Sequence, residues 1–235
     1  MTHTQESYIN LQVSDGTTMA AYVAYPQERN EQTPAILVLQ EAFGVNSHIR
    51  NVADRFAREG YVAIAPELFH RTAPQGFTGS YSDFPAVMPH MQALTNEGMS
   101  ADLQAAYNWL VQQDINKDAI YSVGYCLGGR VSFLANGVLP LKAAVSYYGG
   151  RTEQLADQAV NLHGPHLFFW GGLDKHIPDE SINTVIKAVK DAGKEYVNVK
   201  ISYADHGFNC DERDSFNEKA SRQAWALTLE FLRSQ

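Results

Sequence analysis

Cys126, Asp174 and His206 are the residues of this chain whose types and order could do nucleophilic chemistry. Cys126 stands in Gly124-Tyr125-Cys126-Leu127-Gly128, with Gly129 next, where the apolar run "AIYSVGY" (119–125) gives way to "RVSFLANGV" (130–138). G-x-C-x-G is the thiol form of the G-x-S-x-G elbow, a strained strand-to-helix turn that holds a nucleophile clear of the backbone. A Cβ two positions before or after it would collide with the neighbouring strand and helix, which accounts for the glycines. A helix N-terminus behind the sulfur also favours thiolate. A thiol packed as a small hydrophobe needs none of this.

A nucleophile requires a base, and the base an orienting acid. With an elbow of this kind the chain order is nucleophile, acid, histidine. Of eight histidines, His206 in "YADHGF" is the one that follows the last strand-like run, "VNVKISY" (197–203). For the acid, "FFWGGLDKHIP" places Asp174 in the loop after an apolar run, with two glycines that let the chain turn sharply. Asp179 is the second candidate, more naturally read as the N-cap of a helix starting near Glu180. Asp205 adjoins His206, but neighbouring side chains diverge.

The elements that must position these residues alternate. "YINLQVS" (8–14) and "TMAAYVAYP" (18–26) flank Asp15-Gly16 and predict a β-hairpin. Runs at 35–40, 62–66, 119–125, 142–148 and 166–171 read as strands, the first of them, "AILVLQ", continuously apolar as in a strand buried on both faces. Helical patterns lie between them, at 47–59, 97–114, from Cys126 to 137, at 179–192 and at 214–233. Strands alternating with helices predict right-handed crossovers and a mostly parallel sheet with helices on both faces, preceded by the antiparallel hairpin. Sites in such sheets gather at the carboxyl ends of the strands, where Cys126, Asp174 and His206 all fall. Residues 69–97 have no regular pattern but carry Phe69, Phe77, Tyr81, Phe84, Met88 and Met91, so they read either as a surface excursion or as a lid over a pocket. The 235 residues are read as one domain, 1–235, since an α/β fold uses this length as a unit.

Four stretches, "QEAFGVN" (40–46), "GYCLGG" (124–129), "GGLDKHIP" (171–178) and "HGF" (206–208), resemble the dienelactone hydrolase family of α/β-hydrolases. The resemblance implies a carboxymethylenebutenolidase-like carboxylic ester hydrolase, opening small esters or lactones through an acyl-enzyme without metal or organic cofactor. It implies Cys126 as nucleophile, His206 as base and Asp174 as its orienter. It further implies Glu41 as an acid that contacts the resting thiol, the backbone N–H groups of Leu127 and Ala42 as oxyanion hole, and Tyr148 as pocket lining. In physical terms a carboxylate beside the thiol can hold its proton until substrate arrives.

The family's substrate-binding arginine four residues beyond the histidine is replaced here by Cys210. Arg71, the one arginine of segment 69–97, is the candidate substrate-binding cation, with Arg213 three residues beyond Cys210. With the clamp displaced, neutral esters and lactones are the expected preference. A rival reading makes Cys126 a redox or ligand-sensing thiol with Cys210 as its resolving partner, and Asp174 and His206 are what such a module would not need.

The formal charge of −8, from 18 Lys and Arg against 26 Asp and Glu, argues against nucleic acid or acidic membrane as a partner. "MTHTQESYIN" shows no leader pattern, and no apolar run approaches the roughly eighteen residues of a membrane span. Two cysteines make no disulfide framework, so the expectation is a cytoplasmic protein, monomeric or a weak homo-oligomer, with a small-molecule substrate.

Overall fold

The computed structural model describes residues 5–235. Residues 1–4, where the reading of "MTHTQESYIN" begins, lie outside them. β1 (Gln5–Gln12) and β2 (Thr18–Tyr25) pair antiparallel, from Gln5↔Tyr25 to Gln12↔Thr18. Their turn is closed by Asp15, whose carboxylate accepts the Thr17 backbone N–H at 3.0 Å and its hydroxyl at 2.6 Å. β2 pairs antiparallel with β4 (Val62–Pro66), and β4 lies parallel to β3 (Ala35–Leu39). β5 (Ile120–Tyr125) is followed by β6 (Ala143–Tyr147), β7 (His166–Gly171) and β8 (Tyr196–Ile201); β6, β7 and β8 run parallel. The strand order is β1-β2-β4-β3-β5-β6-β7-β8. Every residue of β3 to β7 is buried, as their largely apolar runs require, whereas β8 at the sheet edge is exposed or half-buried except at Ile201. This is the α/β-hydrolase fold.

The chain divides into two compact units, one ending at Tyr121 and one running from Ser122 to Gln235. The first holds α1 (Ser47–Arg58), α2 (Phe84–Gln92) and α3 (Asn96–Val111); the second holds α4 (Leu127–Val138), a 3-10 helix (Thr152–Asn161), α5 (Asp179–Asp191) and α6 (Glu218–Arg233). α2 lies inside the segment that lacks a helical pattern. Asp83 caps it through the Ala86 N–H, Pro85 falls in the first turn where no N–H is needed, and Pro89 removes one interior bond. The last helix starts at Glu218 rather than near 214, because Asn217 caps it by accepting the Ala220 N–H.

Segment 69–97 is fastened to the loop after β3. The Gly79 N–H donates to Phe43 O at 3.0 Å, Gly44 bridges Thr78, and Ala42, Phe43 and Val87 form a cluster packed by Phe77, Tyr81 and Met91. Gln40 fixes the loop from below, accepting the Leu68 N–H at 3.0 Å.

Arg71 corrects the sequence reading. Its Nη1 and Nη2 donate to the two oxygens of Asp102 at 2.9 and 2.8 Å, and its Nε donates to Asp15 at 2.8 Å. Asp102 is fully buried in α3 and also meets His70 Nε2 at 3.0 Å. The guanidinium therefore ties the hairpin turn, segment 69–97 and α3 together. Two carboxylates already hold the donors that a substrate anion would need. Replacing Arg71 by Met leaves the Asp102 carboxylate buried beside His70 alone and is expected to lower stability by about 2–3 kcal/mol, less than a fully buried broken pair costs because Arg71 is itself partly exposed. Urea unfolding measures this. A rise in KM confined to anionic substrates, with stability unchanged, would return Arg71 to the substrate site.

Candidate active site

The second unit carries the elbow. Cys126 precedes α4 with φ 54° and ψ −112°, a conformation that costs a residue with a Cβ about 1–3 kcal/mol and persists only where its surroundings enforce it. They do so by close approach of backbones. A Cβ on Gly124 would lie 1.8 Å from Gly128 O, and one on Gly129 would lie 2.7 Å from both Gly149 Cα and Tyr147 O. The Cys126 N–H donates to Tyr147 O at 3.0 Å, and the Gly129 N–H returns to Cys126 O at 3.0 Å. Leu127 opens α4, so its N–H has no partner within the helix and points with the helix dipole toward the sulfur's end.

His206 Nε2 lies 3.1 Å from Cys126 Sγ, and His206 Nδ1 lies 2.7 Å from Asp174 Oδ2. The other oxygen of Asp174 accepts the His176 backbone N–H at 2.8 Å, which fixes the carboxylate's orientation. The ring of Tyr148, held at φ 37° and fully buried, sits 5.2 Å from that of His206, and the His176 ring meets it edge-on at 5.5 Å. Burial alone would lower the pKa of His206, but negative charge on the Cys126 sulfur and the hydrogen bond to Asp174 raise it to about 10. Burial would raise that of Asp174, yet the His206 hydrogen bond and charge hold it below its ordinary value. The imidazole is thus held between the sulfur and a carboxylate, both of which favour its charged form.

The other candidates fall as follows. Glu41 and Ala42 belong to the first unit, both fully buried in the loop after β3. Asp179 opens α5 behind Pro178 and pairs with Lys200, so it is neither the N-cap nor the acid. Asp205 accepts the backbone N–H of His206 at 2.7 Å. Cys210 is fully buried, while Cys126 is only partly so, and neither cysteine is in a disulfide. The guanidinium of Arg213 occupies the space that a side chain at Gly207 would take, next to His206 in the chain. Arg130, one turn into α4, escaped the sequence reading; burial and nearby Arg151 lower its pKa, while Cys126 and Glu153 favour its charge. A cation in the otherwise uncharged "LGGRVSFLANGV" was the available signal. Among the described residues no group of three or more His, Cys, Asp or Glu side chains is placed to hold a metal ion, and no helix is long and apolar enough to cross a membrane.

A model of the dienelactone hydrolase family matches residues 19–235. The chain belongs to that family. A relative in Escherichia coli O157:H7, provisionally named carboxymethylenebutenolidase, is 34% identical over 230 residues, covering 94% of this chain and 84% of its own. The carboxymethylenebutenolidase of Pseudomonas putida is 32% identical over 175 residues, 74% of this chain and 73% of that one. A crystal structure from Klebsiella pneumoniae subsp. pneumoniae MGH 78578, provisionally described as a dienelactone hydrolase, superposes with a TM-score of 0.87 at 30% identity, covering 98% of this chain and all of the other. This dienelactone hydrolase family member is accordingly a hydrolase of the carboxymethylenebutenolidase type.

The raised pKa of His206 has a testable origin. In an NMR titration the His206 imidazole should stay protonated through pH 9. In Cys126→Ala, burial faces Asp174 alone, and the midpoint should fall by at least about one unit. An unchanged midpoint would mean that the sulfur exerts no hold on the histidine.

Proposed function

We propose that Cys126 is the nucleophile of a hydrolase acting on small carboxylic esters or lactones. The observation that carries this reading is the Cys126 Sγ–His206 Nε2 contact of 3.1 Å with Asp174 on the other ring nitrogen. The thiolate attacks the carbonyl carbon, and the carbonyl electron pair moves onto oxygen, where the N–H of Leu127 at the start of α4 stabilises it. The tetrahedral intermediate collapses, the C–O bond to the alkoxide or ring oxygen breaks, and His206 donates its proton to that oxygen. A thioester remains on Cys126. Water then attacks it, giving a proton to His206; the C–S bond breaks and the sulfur leaves as thiolate beside the imidazolium. Asp174 holds the imidazole in the tautomer and orientation that both steps use, and the positive charge of Arg130 supports the thiolate.

In this reading Tyr148, beside His206, lines the substrate pocket. Neutral or weakly polar esters and lactones are the preferred substrates, since Arg71 is bound to Asp102 and Asp15 and Cys210 stands four residues beyond His206. The alternative of Cys126 as a redox thiol draws little support from a resolving partner as deeply buried as Cys210.

Cys126→Ala should reduce kcat/KM for p-nitrophenyl acetate by at least about a thousandfold, because members of such a triad act as a unit, and exhaustive chelation should leave the wild-type rate unchanged. Activity that survives Cys126→Ala would overturn the proposal, and a chelator-sensitive rate restored by Zn²⁺ would replace it with metal chemistry.

A further inference from the structure

His166 is a buried titratable group that the proposed reaction does not use. It opens β7, is completely shielded from water, stacks on Phe168 with ring centroids 4.2 Å apart and packs against Phe133 at 5.5 Å. Both of its nitrogens are nonetheless engaged. Nε2 lies 2.8 Å from Ser146 Oγ, and Nδ1 lies 3.3 Å from Asn136 Nδ2. Ser146 Oγ donates in turn to Gly129 O at 2.6 Å.

The direction of every proton in this chain follows from chemistry. A carbonyl only accepts, so the Ser146 hydroxyl proton goes to Gly129 O. Ser146 must then accept from His166, which places the imidazole proton on Nε2 and leaves Nδ1 as acceptor for the Asn136 amide. A charged imidazole would present a second N–H to that amide, donor against donor. Burial keeps His166 neutral, lowering its pKa to about 3. The tautomer is therefore fixed.

The far end of this chain is the elbow. Gly129 O belongs to the residue whose N–H holds Cys126 O at 3.0 Å and whose Cα packs against Gly149. Ser146 lies one residue before Tyr147, whose carbonyl takes the Cys126 N–H at 3.0 Å. The elbow is thus stitched to β6 twice, once through the backbone and once through the Ser146 hydroxyl. His166, on the neighbouring strand, decides which way that hydroxyl points. Asn136 closes the circuit from α4 itself, since its amide also donates to Gly164 O at 2.9 Å and accepts the Gly164 N–H at 3.0 Å.

We propose that Ser146 and His166 are positioning residues for the nucleophile, orienting the first turn of α4 so that Cys126 and the Leu127 N–H hold their catalytic alignment. The proposal rests on the reading of Cys126 as nucleophile. A misplacement of about 1 Å at such a turn can cost on the order of a hundredfold in rate without loss of binding.

Three variants separate positioning from mere packing. Ser146→Ala removes the hydroxyl with almost no change of volume. His166→Phe keeps the ring and its stacking but removes the donor. His166→Gln sets an amide N–H near the place of Nε2 and restores the donor to Ser146. For each, kcat and KM for p-nitrophenyl acetate and the rate of Cys126 alkylation by iodoacetamide at pH 7 are measured well below the unfolding temperature. Ser146→Ala and His166→Phe should lower kcat by about tenfold or more with KM within about twofold, and slow alkylation by about threefold. His166→Gln should recover to within about threefold of wild type. If His166→Phe does not fold, Ser146→Ala decides alone. Wild-type kcat and alkylation in Ser146→Ala would overturn the proposal, as would a His166→Gln variant no better than His166→Phe. If the wild type hydrolyses no ester, the functional reading fails, and the alkylation rates still test the alignment.

Discussion

The structure turns on backbone closeness around Cys126. A residue with a side chain is held at positive φ because Gly124 meets the carbonyl of Gly128 and Gly129 meets the end of β6, with no space for a Cβ at either place. Everything that gives the thiol its character follows from that contact. The sulfur's residue stands at the start of α4, at the positive end of the helix dipole, and the loop after β6 comes near enough for Tyr148 to lie beside His206. An alanine at either glycine would open the contact and release the turn to an ordinary conformation, so the strain and the glycines are one device.

Electrostatics builds on this frame. His206 is held between a sulfur and a carboxylate, and the balance runs against burial: neighbouring negative charge outweighs the cost of desolvating the imidazolium. Asp174 can serve because its second oxygen is satisfied by the His176 N–H, leaving one oxygen to orient the ring. His166 shows the opposite solution in the same unit. With no carboxylate near, burial prevails and the ring stays neutral, available only as a fixed donor and acceptor. Two histidines of one unit have been sorted into a charged and an uncharged role by what stands within hydrogen-bond reach.

Much of this was legible in the residues. Largely apolar runs announced β3 to β7 because a strand buried on both faces has few polar positions to alternate with. The order Cys126, Asp174, His206, each after a strand, put the three where such folds gather their sites, and their side chains do meet. The rest was hidden for physical reasons. Pro85 and Pro89 argue against a helix until Asp83 is seen to cap it and the first of them to need no donor. The partners of Arg71, Asp15 and Asp102, lie 56 and 31 residues away, so no local pattern foretells that its charge is already used. His166 reads from sequence only as the start of a strand; its alignment with Ser146 depends on the pairing of β6 with β7, where Ala144 rather than Ser146 is its direct partner.

The central claim is that an acyl group passes through the sulfur of Cys126, and trapping that intermediate tests it most directly. The protein is mixed with p-nitrophenyl acetate, quenched in acid during turnover, digested and examined by mass spectrometry. The account predicts one acetyl group, on the peptide containing Cys126 and labile to hydroxylamine as a thioester is. Continued turnover with the acetyl group on another residue, or with Cys126 still open to alkylation throughout, would contradict it.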